Sequence, residues 1–228
     1  MTALYSNDPM LQKLLRFFKQ TQAFERRPIQ HPDQTINRLI HSAELPERQF
    51  RRAAVLIAIV TDLEIPAIVL TQRTEHLSSH PGQVAFPGGK EDPGDAGPVH
   101  TALRESEEEM GIRPEHVRLI GSISPIYVAP SNYSVLPFVG YSEVAPDYVP
   151  DPTEVEEVVE LPLEELTRPG CAVSSVWELR GQKMAVPHFQ IRGKRIWGAS
   201  AMMLSEFLCL IDRSPEPVLL STDDTVGR

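Results

Sequence analysis

Cysteine is scarce in this chain: Cys171 and Cys209 are the only two in 228 residues. Their spacing forms neither a disulfide framework nor a paired metal-ligand motif, so both are expected as buried free thiols in a reducing cytoplasm. Long apolar runs are missing as well. The longest, Ala53 to Val60, has the length of a strand and falls far short of the ~20 residues of a membrane helix. The N-terminus shows no basic segment leading into an apolar one, so neither a membrane association nor a secretory leader is expected. Positive charge is also in deficit, with 22 Lys and Arg against 31 Asp and Glu and a net charge of −9. Without a basic stripe, a protein that grips nucleic acid by neutralising its phosphates is not expected. A small anionic substrate would have to be met locally, by a cation and a few arginines, because the global field opposes it.

No internal repeat or low-complexity segment interrupts the chain. From Pro9 to Phe24, Leu11, Leu14, Leu15 and Phe18 recur at helical spacing, with Asp8 placed to cap and Pro9 in the first turn. A second helical stretch is expected at Thr35–Ala43. Residues 1–48 are therefore expected as a helical extension, 49–213 as the main domain and 214–228 as a flexible tail. The main domain opens with two β-rich runs, Ala53–Val60 and Pro66–Arg73, expected as a hairpin or as neighbours. The stretch from Pro81 to Pro98 is too rich in Gly and Pro for extended regular structure. Further strands are expected at Val117–Ser124, Ser134–Ser142, Val155–Glu160, Ser175–Arg180 and Pro187–Arg192, the last turning at Arg192-Gly193-Lys194 and leading through Arg195–Trp197 into a final helix, roughly Ala199 to Ile211. Many strands with few helices make an α/β domain with a mixed sheet.

The helix between Pro98 and Gly111 carries the chemistry. Pro at its start and Gly at its end fit the asymmetry of helix termini. Val99, Ala102, Leu103, Ser106 and Met110 fall on one stripe expected to be buried. Glu105, Glu108 and Glu109 share an arc of about 100° and are mutual neighbours. Each like-charge pair costs roughly 0.2–0.5 kcal/mol. Their place at the negative end of the macrodipole adds a further ~0.3–1 kcal/mol apiece. An ordinary solvated helix puts acids first and bases last, and this one does the reverse. A hard divalent cation resolves the conflict, because Mg²⁺ takes oxygen ligands and needs few protein carboxylates beside water and phosphate.

Phe86-Pro87-Gly88-Gly89-Lys90, a loop with Asp92 and Asp95, and Arg104-Glu105-Ser106-Glu107-Glu108-Glu109-Met110-Gly111-Ile112 together resemble the Nudix box. The resemblance implies a Nudix-type α/β/α sandwich. It also implies Glu105, Glu108 and Glu109 as ligands of Mg²⁺ or Mn²⁺, with Arg104, Glu105 and Glu108 as catalytic residues. Two features depart from the general pattern. The loop from Gly89 to Arg104 is one residue longer, and Asp95 stands near the place of the family's loop glutamate.

Upstream, Leu70-Thr71-Gln72-Arg73-Thr74 and Gly82-Gln83-Val84-Ala85-Phe86-Pro87-Gly88-Gly89 resemble the signature of the coenzyme A pyrophosphatase subgroup. Glu160-Leu161-Pro162-Leu163 and Ile196-Trp197-Gly198-Ala199-Ser200-Ala201 look like its later landmarks. Ser78 occupies the position of a signature arginine. The resemblance implies metal-dependent hydrolysis of coenzyme A or an acyl-CoA to 3′,5′-ADP and (acyl-)4′-phosphopantetheine. Arg73, Gln83, Phe86, Gly88 and Gly89 are the substrate-binding candidates. His76, His80 and His100 are expected in surface or structural roles, and Trp197 in the core. Two other readings stand beside this one: a Nudix pyrophosphatase for ADP-ribose, NADH or a nucleoside triphosphate, and a non-catalytic Nudix-type binding module. The expected partner is a small phosphate compound, with no nucleic acid and no membrane, and assembly is left open between monomer and homodimer.

Overall fold

The computed structural model describes residues 50–61, 65–77, 80–179 and 181–212. The helices expected at Pro9–Phe24 and Thr35–Ala43, the 214–228 tail and Ser78 lie outside the described residues.

Strand β1 (Arg51–Val60) is the axis of the main sheet. From Ala54 to Val60 no side chain is more than 8% exposed, the continuous burial of a strand covered on both faces. Its C-terminal part pairs antiparallel with β2 (Ala67–Arg73), Ala58 facing Val69 and Val60 facing Ala67, as the two apolar runs predict. β3 (Val84–Ala85) and β4 (Gly88–Lys90) follow. β4 takes the N-terminal part of β1, with Val55 opposite Gly88 and Ala54 opposite Gly89. Two different strands thus share one side of β1, and between them Leu56 N–H donates to the Pro87 carbonyl at 2.9 Å. Helix α1 (Pro98–Met110) comes next, then β5 (Val117–Ser122), β6 (Ile126–Val128), β7 (Tyr133–Ser142) and β8 (Val155–Pro162). β7 runs parallel to β1 over its whole length, and every other pairing in the sheet is antiparallel. The expected mixed sheet is therefore present.

A short helix α2 (Leu163–Leu166) leads to a second, antiparallel sheet of β9 (Ala172–Leu179), β10 (Gln182–Ile191) and β11 (Lys194–Trp197), then helix α3 (Gly198–Asp212). The β10–β11 turn uses Arg192 and Gly193 at φ 48° and 75°. Lys194 Nζ ties this unit to the main sheet, donating to Gln72 Oε1 at 2.6 Å and pairing with Glu157.

Side chains alternate across β1. Ala54, Leu56, Ala58 and Val60 join Ala102 and Met110 of α1 in one core, and Val55, Ile57 and Ile59 join Leu204, Phe207 and Leu208 of α3 in the other. At ~25 cal/mol per Å² of apolar surface removed from water, these two contacts fix α1 and α3 on opposite faces.

Several expectations are corrected. The Pro81–Pro98 stretch holds only the short strands β3 and β4, in line with its Gly and Pro content, while β6 is a further three-residue strand beyond those expected, ordered by pairing with β7. The last strands begin earlier than predicted, β9 at Ala172 and β10 at Gln182, since pairing with each other outweighs weak local alternation. Val99 is exposed rather than part of the buried stripe, and the first turn of α1 buries Thr101 instead. Trp197 is half-buried, edge-on to Trp177 at 5.3 Å, rather than in the core. Cys171 and Cys209 are free as expected, yet half-buried.

Candidate active site

Helix α1 ends against the mouth left where β2 and β4 part. Pro98 opens it, and Gly111 closes it in the left-handed conformation at φ 74°. Gly111 N–H donates to Glu107 O at 2.7 Å, and Ile112 N–H to Ser106 O at 3.3 Å, which satisfies two terminal carbonyls. Two more are met by the loop before β8, through Val149 N–H to Met110 O and Asp151 N–H to Glu109 O, both at 2.9 Å. Ser106, buried within the helix, donates from Oγ to Ala102 O at 2.6 Å. The first turn has no acid and the last no base, so the reversed charge pattern seen in the sequence persists in the fold.

The three glutamates occupy different environments. Glu109 is buried at 6% exposure and its Oε2 accepts from Gly88 N–H at 3.2 Å. Burial raises its pKa to about 7, against the opposing pull of that hydrogen bond and of Arg73; Glu154 and Glu105 push it further up. Burial also raises the Glu105 carboxyl, which Arg104 partly offsets. Glu108 lies 60% exposed at the rim. The glycines make this possible. A Cβ on Gly89 would lie 2.4 Å from Glu105 Oε2, and one on Gly88 would strike Ala54 O at 2.4 Å.

Arg104 organises the cluster. Its Nε donates to Asp95 Oδ1 at 2.9 Å and Nη2 to Oδ2 at 3.1 Å, a bidentate fork. Nη1 reaches Glu108 Oε2 at 2.9 Å, and Nη2 lies 2.9 Å from Glu105 Oε1 and 3.2 Å from Lys90 O. Asp95, only 2% exposed, also accepts from Thr101 Oγ1 and His100 Nδ1, each at 2.8 Å, and from Asp92 N–H at 3.0 Å. Led by the Arg104 contact, these bonds hold the Asp95 carboxyl far below its usual range and Arg104 far above its own. Asp95 therefore anchors the anchor. Its partners come from loop and helix together, which is why spacing along the chain gave it no clear role.

The structure places the expected Arg73 at the site and brings Glu154, which neither motif contains, beside it. Arg73, at the end of β2, lies between Glu109 Oε1 at 3.8 Å and Glu154 Oε2 at 3.9 Å. Glu154 precedes β8, and its charge raises both Glu105 and Glu109. Its one sequence signal is its position just ahead of a strand. Of the expected substrate residues, Gln83 is half-buried and its Oε1 accepts from His80 Nδ1 at 3.1 Å, while Gly88 and Gly89 lie under the glutamates. Phe86, expected as a substrate contact, packs in the core at 3% exposure. His76 meets Thr74, and His100 meets Asp95, both structural contacts.

Among the described residues no three carboxylate, imidazole or thiol groups already converge as a metal cage. Glu105 and Glu108 pair with Arg104, and Glu109 lies against Gly88 and Arg73. The donor set nonetheless suits a hard cation. Glu105, Glu109 and Glu154 are all oxygen donors, the charge of Glu154 pushes both Glu105 and Glu109 up, and Gly89 leaves room for the Glu105 carboxylate.

Residues 50–178 match the family model described as the NUDIX domain. The chain belongs to the Nudix family. It is a Nudix hydrolase, in a family of pyrophosphohydrolases that typically use a divalent metal. A Pectobacterium atrosepticum protein named "Uncharacterized Nudix hydrolase NudL" is 34% identical over 170 residues, 75% of this chain and 88% of that protein. The Yersinia pestis protein of the same name is 45% identical over 115 residues, 50% of this chain and 57% of its own length. Among solved structures, a Nudix hydrolase from Nitrosomonas europaea aligns at 15% identity with a TM-score of 0.48, over 76% of this chain and 79% of that one. The C. elegans Ap4A hydrolase binary complex aligns at 24% identity and TM-score 0.42, over 49% and 80% respectively. No helix among the described residues is long and apolar enough to cross a membrane.

Proposed function

We propose that this Nudix hydrolase cleaves the pyrophosphate bond of coenzyme A or an acyl-CoA, releasing 3′,5′-ADP and (acyl-)4′-phosphopantetheine. The observation that carries the chemistry is the arrangement of Glu105, Glu108 and Glu109 above Gly88 and Gly89, locked from behind by the Asp95–Arg104 fork. Glu105, Glu108 and Glu109 hold Mg²⁺ or Mn²⁺, with Glu154 beside them. When bound, the metal neutralises phosphate oxygens and the charge developing on the leaving group. One of these three glutamates also takes the proton of the attacking water, and burial holds Glu105 and Glu109 above the ordinary carboxylate range. Arg104 fixes where those carboxylates point. Gly88 and Gly89 let the chain pass close beneath the glutamates, and Gln83 borders the entrance.

The coenzyme A reading is supported by continuity in space. The Leu70–Arg73 segment, the Gln83–Gly89 segment and the acidic helix meet at one place: Arg73 N–H donates to Gln83 O at 2.9 Å, and Gly88 N–H reaches Glu109. Coenzyme A differs from simpler ADP compounds by a 3′-phosphate and a pantetheine arm, so a selective site needs a cation for the first. The test is a product-resolved comparison of kcat/KM for coenzyme A, 3′-dephospho-coenzyme A, ADP-ribose and NADH with Mg²⁺ and Mn²⁺. A charge-assisted contact of ~1.5–3 kcal/mol sets the expected preference for coenzyme A over its dephospho form at about tenfold to a hundredfold. Efficient ADP-ribose or NADH cleavage with both coenzyme A compounds untouched overturns the substrate and leaves the metal-dependent chemistry standing.

A further inference from the structure

Arg73 and Arg104 both face glutamates of the acidic helix, yet they do so differently. Arg104 makes contacts near 2.9 Å to Asp95, Glu105 and Glu108, each within charge-assisted hydrogen-bond range. Arg73 stays at 3.8 Å from Glu109 and 3.9 Å from Glu154, outside that range on both sides. Its Nε is buried and has no hydrogen-bond partner. A guanidinium kept for structure alone would close on one carboxylate and satisfy that donor, since a buried unpaired N–H is costly.

The backbone places it there. Gln72 pairs with Glu157 but Arg73 with Val155, so the ladder skips Glu156. Such a bulge re-aims the side chains beside it. Thr74 then fastens the two chain segments, donating from N–H to Glu154 O at 3.0 Å and from Oγ1 to Thr153 O at 3.3 Å. Arg73 and Glu154 are thus held face to face beside Glu109, where Glu105, Glu109 and Glu154 repel one another.

We infer that Arg73 is an internal counter-cation: in the metal-free protein its guanidinium bridges Glu109 and Glu154 loosely, and it competes with a divalent cation for those same carboxylates. The inference rests on the proposed metal reading of the glutamates. It makes Arg73 a positioning residue whose donors become free for an anion once the carboxylates are otherwise engaged. Arg73 would then hold the acidic site together before loading and oppose loading in the absence of a phosphate compound.

The experiment uses the full chain without substrate and reads Mn²⁺ binding by electron paramagnetic resonance, together with melting in chelator. Arg73→Gln should bind Mn²⁺ on the order of fivefold more tightly than wild type, the scale of a partly exposed ion pair, and should melt lower in chelator. Arg73→Lys keeps the charge but cannot span both carboxylates. It should fall between the two in Mn²⁺ affinity, and it serves as the test if the Gln variant fails to fold. Unchanged or weaker Mn²⁺ binding in a folded Arg73 variant overturns the inference. Wild type and Glu109→Gln serve as the reference pair. If wild type binds Mn²⁺ and Glu109→Gln does not, the metal reading stands whatever Arg73 does; if neither binds, both fall.

Discussion

Arg104 divides one guanidinium among Asp95, Glu105 and Glu108, so each contact constrains the others. Its geometry predicts that Arg104→Lys, which keeps the charge and loses the planar fork, lowers turnover by about tenfold to a hundredfold. Melting temperature should fall far less than turnover, because Lys keeps a charge beside the buried Asp95 carboxylate. Wild-type turnover in steady-state kinetics would mean that Arg104 is only a solvated partner of nearby acids. Arg104 and the three glutamates were legible in the sequence because spacing within one helix decides which side chains are neighbours. Asp95 and Glu154 were not. Asp95 acquires its role when the loop after β4 folds it beneath Arg104, and Glu154 arrives only through the pairing of β8 with β2.

Helix α1 depends on the two glycines beneath it, and they do different work. Gly88 has φ 145°, and an added Cβ would meet the backbone of Ala54 and Val55, which cannot move without opening β1. Gly88→Ala should therefore destabilise the fold by about 1–3 kcal/mol, read as a lower midpoint in denaturant. At Gly89 the obstacle is the end of the Glu105 side chain, which can swing away. Gly89→Ala should keep most of the stability and lose activity, as the displaced carboxylate leaves its place. Equal losses of stability in both variants would show that the cradle serves the fold alone. The boundaries of α1 were readable from Pro98 and Gly111, since local chemistry sets helix ends. β3 and β4 were not, because their residues are ordered by partners rather than by propensity.

At the scale of the molecule, the α/β class and the mixed sheet followed from the count and spacing of apolar runs. The parallel union of β1 with β7 did not, since nothing local states which distant strand a segment will join. That union and the split partners of β1 put the glycines of β4, the end of β2 and the acidic helix at one mouth. The acidic helix is thus the feature around which the site is assembled, and its function as a cation site is the central claim. Binding there must stabilise the folded chain by linkage. With free Mg²⁺ at about ten times its Kd the gain is ~1.4 kcal/mol, a rise of roughly 3–6 °C in Tm for a domain of this size. The decisive measurement compares wild type with the Glu105→Gln, Glu108→Gln, Glu109→Gln triple variant in chelator and in Mg²⁺. Tm should rise in wild type and stay unchanged in the triple variant, and the same rise in both proteins would contradict a cation site on the acidic helix.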